Sequence, residues 1–422
     1  MAFQQGLSGL NAASKTMETI GNNVANAGTV GFKKSQAQFA DVYASSLIGS
    51  GASPIGIGTK LARVAQQFTQ ANITGTNNPL DIAINGDGFF RLSDNGAISY
   101  SRNGQFQLNK NGNIENATGG LLTGYPVDAN GNISNGAPAA LRITNTALAP
   151  KSTDSYNVNL NLDSGKPVIL APPAVGGVAF DPTDPTTYSN QTSVGVYDSL
   201  GNSHVLSTFY VNRGPAAAGA GNTWDVYATV DSTPIGYVPP AAPVPLTSIT
   251  FSTGGVALAT PVVTANLALS NGATSPQAVS VDFSGTTQYA LEFGVRDQNQ
   301  NGYTAGNLVS FNLSPDGKII GSYTNGQTYT LGQVALARFS NPNGLMAKGD
   351  NAWEETAISG PPVVSSPGNS GLGVVQSSAV EESNVDLTAE LVSMITAQRI
   401  YQANAQTIKT EDQIMQTLVN LR

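Results

Sequence analysis

The sequence predicts a mainly β protein with α-helical termini. It has two nested antiparallel β-domains, the second inserted in the first, and N- and C-terminal helices that pair as a coiled coil in an assembly. Three observations predict this. Apolar residues at both ends of the chain recur on alternating steps of four and three, the spacing of a heptad seam. Between the ends, apolar and polar residues alternate in short runs separated by Asn-Gly and Asp-Gly pairs, as in strands joined by tight turns. From Thr286 the chain resumes the character it had before Thr146, so the residues between read as an insertion.

Phe3, Leu7, Leu10, Met17 and Val24 form the N-terminal seam, with Ser14 and Gly21 in its gaps and Ile20 widening it. Asn22, Asn23 and Asn26 weaken this helix, and Gly28 and Gly31 stop it. At the other end Leu387, Leu391, Met394, Tyr401, Ala405, Ile408, Met415 and Val419 keep the same spacing, with Gln398 and Asp412 as the polar members. A second stripe of Ile414, Leu418 and Leu421 broadens the face. Ser383 and Asp386 supply an N-terminal cap, and the absence of Gly and Pro from Val385 onward allows a helix about 55 Å long. Such a helix cannot bury its face on itself. It is expected to be disordered in the free chain and to fold on assembly. Tyr401 is read as a seam residue whose hydroxyl finds a partner, with a lumen-facing position as the other reading.

Residues 1–29 and 384–422 thus form a terminal helical polymerisation domain. Residues 30–70 and 364–383 read as extended linkers; the first is rich in Ser, Gly and Gln with Phe39, Val42 and Tyr43 as scattered anchors. Residues 71–145 and 286–363 form the first β-domain. Ile82 and Ile84, Phe90 and Leu92, and Phe106 and Leu108 mark its strands, and Asn325-Gly326 marks a hairpin. Residues 146–285 form the inserted outer β-domain, marked by the alternations Tyr156 to Leu162 and Trp224 to Val230.

Composition narrows the function. Charged residues make up 11%, far below the usual share of about a quarter. With a net charge of −8 and no basic cluster, nucleic acid is not a partner. One histidine and no cysteine exclude disulfides and thiolate metal sites. His204 has no second histidine or cysteine to complete a metal site. Asp297 to Gly302 matches the first half of a calcium loop, but Leu308 stands where a bidentate carboxylate is needed, so a polar turn is the reading. Gly86-Asp-Gly88 lacks the spacing of a phosphate cradle. No catalytic signature, cofactor site or metal site follows, and the chain is not expected to be an enzyme. No basic leader and no long apolar run occurs, so neither a cleaved signal nor membrane insertion is expected. The aromatic residues leave open a secreted β-rich adhesin.

Gly21-Asn-Asn-Val-Ala-Asn-Ala-Gly-Thr-Val-Gly-Phe-Lys33 resembles the N-terminal signature of the bacterial flagellar rod and hook axial proteins, with Asn22, Asn23, Asn26, Gly31, Phe32 and Lys33 as its motif residues. Ser383-Asn-Val-Asp-Leu387 and Gln398-Arg-Ile-Tyr-Gln-Ala-Asn-Ala405 are similar to the matching C-terminal signature. Asn78 to Phe90 and Gly119 to Tyr125 are similar to the family's β-domain. The hook members are the nearer resemblance, because distal rod members are shorter and lack a second inserted domain; the distal rod of the basal body is the alternative. The resemblance implies a structural subunit of a curved tubular homopolymer, a universal joint transmitting motor torque from rod to filament. The terminal helices would line its inner tube, with Phe3, Leu7, Leu10, Met17, Ile20, Val24, Leu387, Leu391, Met394, Tyr401, Ile408, Met415, Leu418 and Leu421 between subunits. It also implies extracellular location, passage through a type III export apparatus, and contact with the distal rod protein, the hook cap and the hook–filament junction proteins.

Overall fold

The computed structural model describes residues 2–42, 56–128, 131–134, 136–143, 147–172, 174, 176–215, 221–236, 243–258 and 262–420. The chain divides into two compact units. The first comprises residues 1–145, 309–322 and 328–422, and the second Thr146–Leu308 with Tyr323–Gln327.

In the first unit helix α1 runs Ala2–Ala25 and helix α2 runs Leu387–Asn420. The α2 cap is Asp386, whose Oδ1 accepts from Thr388 N at 2.9 Å and Ala389 N at 3.1 Å. Ser383 caps only Val385 N, at 3.3 Å. The stretch after α1, read as a linker, is instead a β-hairpin. Strand β1, Ser35–Val42, pairs antiparallel with β2, Gly58–Gln66, with a bulge between Gln38 and Phe39. Its large apolar residues, Phe39, Val42, Leu61 and Val64, are too sparse to signal strands, and pairing with each other supplies what side chains do not. The second linker is also strand. Residues 374–377 pair with 82–85, and 379–381 with 73–75, so the chain returning to α2 completes edges laid down by the N-terminal half.

The remaining strands of this unit form one large sheet built from both halves of the chain. Phe89–Asp94 and Ala97–Ser101 make a hairpin around Asn95 (φ 48°) and Gly96 (φ 93°), the two positive φ values a tight hairpin turn requires. Residues 318–323 and 328–334 flank the Asn325-Gly326 turn as expected. The core is aromatic: Phe89, Tyr100, Phe339 and Trp353 are buried, with edge-to-face ring pairs at 4.7 Å for Tyr100 and Phe339 and 5.8 Å for Phe89 and Trp353.

The second unit packs two five-stranded sheets over one core. Tyr156, Val158, Leu160 and Leu162 line one side, and Tyr210, Trp224, Val226 and Ile249 belong to the other. It is not wholly antiparallel. Residues 277–282 and 287–289 lie in sequence along one edge of 155–163 and run parallel to it, while 294–300 pair antiparallel on the other edge. Because those last two strands complete this sheet, the unit extends to Leu308, beyond the boundary at 285 expected from sequence. The segment read as a polar turn at Asp297 to Gly302 is mostly strand, Gly294–Gln300.

Candidate functional site

The two helices run antiparallel. A side chain added at Gly6 would lie 3.0 Å from Ile408 Cγ1, one added at Gly9 would lie 2.6 Å from Asn404 Oδ1, and Asn23 reaches Glu390. The α1 face turned to α2 is therefore the small-residue row Gly6, Gly9, Ala13, Thr16, Ile20 and Asn23, itself on steps of three and four. That row sits one position away from the seam expected from apolar spacing. Glycine and alanine let the backbones approach, and close approach, not side-chain size, decides the register. The helices thus partner each other within one chain, as the coiled-coil pairing expected from sequence requires, but through a different stripe of α1.

The displaced apolar stripe is left largely uncovered. Of the expected interface residues only Ile20 is buried; Phe3, Leu7, Leu387, Leu391 and Tyr401 are 37–50% exposed, and Met415 is 61% exposed. Leu10, Met17, Val24, Met394 and Ile408 are partly buried. The Leu418 side chain and Leu421 lie outside the described residues. Val392, Ile395, Ile400, Ile414 and Val419, mostly passed over in the sequence reading, add to the exposed row.

The motif residues hold these helices to the β-domain. Asn23 is buried and pairs with the backbone of Ser35 through both side-chain atoms, at 2.8 and 2.9 Å. Asn22 O accepts from Asn26 N at 3.1 Å and from Asn26 Nδ2 at 3.0 Å, and Asn26 Oδ1 accepts from Thr29 Oγ1 at 3.2 Å, closing the helix end. Gly31 has φ 72°, and a Cβ there would lie 2.6 Å from Asn103 N, so only glycine fits. Phe32 is buried beside it. Lys33 is fully buried; its Nζ donates to Glu381 Oε1 at 2.7 Å and to Thr69 O at 2.8 Å. Glu381 also accepts from Arg102 Nη1 at 3.1 Å and Ala71 N at 2.9 Å. Burial lowers the pKa of both Lys33 and Arg102, opposed by the Glu381 charge. Next to this trio Lys34 Nζ meets Glu390 Oε1 at 2.5 Å, and Asn384 accepts from Lys34 N at 2.7 Å while donating to Gln67 O at 2.8 Å. The exit of α1, the entry of α2, the end of β2 and the β-domain therefore meet at one polar knot. Sequence reasoning found Lys33 but missed Arg102 and Glu381, the latter 348 positions away; two basic residues and one acid in low-charge surroundings were the available signal.

In the second unit His204 is the residue the sequence left without a role. Its Nδ1 lies 2.6 Å from Asp231 Oδ2 and its Nε2 3.2 Å from Asp198 Oδ2. Among the described residues no cluster of histidine and carboxylates suits a metal ion, and no helix is long and apolar enough to cross a membrane.

Four family models match successive parts of the chain: a flagella basal body rod protein model at residues 3–33, a flagellar hook protein FlgE/F/G D1 domain at 83–159, a flagellar basal body protein FlaE D2 domain at 159–303, and a flagellar basal body rod FlgEFG protein C-terminal model at 376–421. The flagellar hook protein FlgE of Salmonella typhimurium is 41% identical over 425 residues, covering 100% of both chains. The chain belongs to the flagellar hook protein family. It is a structural subunit of the bacterial flagellar hook. Escherichia coli FlgE is 41% identical over 430 residues, and that of Borreliella burgdorferi 29% over 452, with 100% and 99% of those proteins covered. Helicobacter pylori flagellar hook protein FlgE2 shares the fold with a TM-score of 0.54 at 12% identity, over 73% of this chain and all of that one.

Proposed function

We propose that this hook subunit polymerises through the exposed faces of α1 and α2 into a curved tube that acts as the joint between the motor's rod and the filament. The observation that carries this is the apolar row left uncovered on both helices. Covering such a face in a neighbouring subunit recovers about 25 cal/mol per Å² of apolar surface removed from water. The second unit contributes an outer surface low in charge, whose weak polar contacts exchange at small cost as the tube bends. The chain leaves the cell through the flagellar type III channel, and its end neighbours are the distal rod, cap and junction proteins.

The test is electron microscopy of purified protein driven to polymerise, beside a version lacking α1 and α2. Curved tubes from the full chain alone are expected. Straight rigid tubes favour a rod component; polymers from both versions move the interface into the β-units and overturn the proposal.

A further inference from the structure

We infer that the C-terminal overhang of α2 in one subunit seats in a cleft between α1, α2 and the β1–β2 hairpin of the next. This inference deepens the polymerisation reading and rests on it.

The cleft has a volume of about 500 Å³. Its floor is the small-residue face of α1, Gly9, Ala12, Ala13 and Thr16. Val392, Thr396, Ala397 and Ile400 of α2 form one wall, and Phe39 and Thr59 of the hairpin the other. No charged side chain lines it. Val392 and Ile400 are 59% and 49% exposed, so the cleft lacks a filling within its own chain.

The occupant is argued from the antiparallel pairing. Gly6 faces Ile408, so the start of α1 lies near residue 411 of α2, and α2 continues to Asn420. That overhang is about 13 Å long at 1.5 Å per residue. Residues 413–420, Gln-Ile-Met-Gln-Thr-Leu-Val-Asn, carry no charge, and Ile414, Met415 and Val419 are 50%, 61% and 72% exposed. Both surfaces are therefore apolar and neutral, and bringing them together strands no ion away from water. They are also different patches, roughly 25 Å apart along one helix. A subunit cannot fill its own cleft with its own overhang. A contact between unlike patches is head-to-tail and propagates as an open helical polymer instead of closing as a dimer.

The chain's lack of cysteine makes the test direct. Full-length Thr396→Cys and Met415→Cys proteins are mixed, polymerised and treated with an added oxidant. A disulfide-linked dimer carrying one of each is expected, at least tenfold above the yield from either protein alone or from a Lys409→Cys control mixed with Thr396→Cys. Polymers without that cross-link overturn the inference and leave the polymerisation reading standing; failure of every protein, wild type included, to polymerise removes both. A second measurement guards against a folding defect. Thr396→Trp, which fills the cleft, is expected to keep wild-type helicity and lose polymer yield at least tenfold, while Ala117→Trp, on an exposed turn of the first unit, does not. Unchanged assembly of Thr396→Trp overturns the inference.

Discussion

Replacing Glu381 with glutamine tests whether the buried knot holds the terminal helices to the β-domain. The change keeps the side chain's size and removes its charge. Lys33 and Arg102 then remain as two buried cations with no anion between them, and the new amide group turns a donor towards one of them. Removing one partner of a buried ion pair costs about 3–5 kcal/mol, because the remaining charge stays out of water. Arginine keeps its proton under all ordinary conditions, but lysine can lose one. Lys33 already has a lowered pKa through burial, resisted by Glu381, so the variant lowers it further. The sign follows: a depressed lysine costs stability below its folded pKa, and the cost fades as pH rises through that value towards about 10.5. The variant is therefore expected to regain part of its loss at alkaline pH, and Glu381→Gln with Lys33→Met to recover more. Urea unfolding of the full chain measures this. The two tryptophans lie one in each unit, so a Trp224→Phe background leaves Trp353 reporting on the first unit. Glu382→Gln, on an exposed neighbour, is the control. A loss below about 1 kcal/mol for Glu381→Gln, or an equal loss for the control, would refute the reasoning.

Three further predictions follow from single positions. Burial pulls the His204 pKa down, but hydrogen bonds and charge from Asp231 and Asp198 together raise it above 6.5, so its stabilisation is full below that pH and is lost as pH rises through the raised value; proton NMR of the lone histidine and Trp224-monitored unfolding check this, and a pKa at or below 6.5 sinks it. Gly21→Ala, with nothing within 4 Å of its Cβ, is expected to stabilise α1 by up to about 1 kcal/mol, whereas Gly9→Leu, pressed against Asn404, lowers helicity by circular dichroism; the same sign for both contradicts the helix pairing. Gly31→Ala is expected to cost at least about 2 kcal/mol in urea, from its left-handed φ and the clash with the backbone at Asn103; a neutral result would show that the loop relaxes freely.

The terminal helices, the hairpins at Asn95-Gly96 and Asn325-Gly326 and the two runs at Tyr156 and Trp224 were legible because each is a local pattern. Turn residues with positive φ and side-chain periodicity act over a few positions and leave a trace in the order of residues. The β1–β2 hairpin left little trace, since Ser, Gln and Ala occupy positions where strands usually carry branched or aromatic residues. The extent of the second unit was hidden for another reason. Residues 287–300 look like their successors in sequence, but their edges pair with 155–163.

The site divides in the same way. The sequence by itself determined that the chain ends in amphipathic helices with more apolar surface than each can bury, and that Lys33 sits in a constrained motif. Tertiary structure alone decided which stripe of α1 meets α2, because that choice depends on how closely two backbones approach and not on which residues are most apolar. It also decided that Lys33, Arg102 and Glu381 share one buried site, although Lys33 and Glu381 stand 348 positions apart. An ion pair gives no periodic signal. Its partners are found by the fold that brings them together.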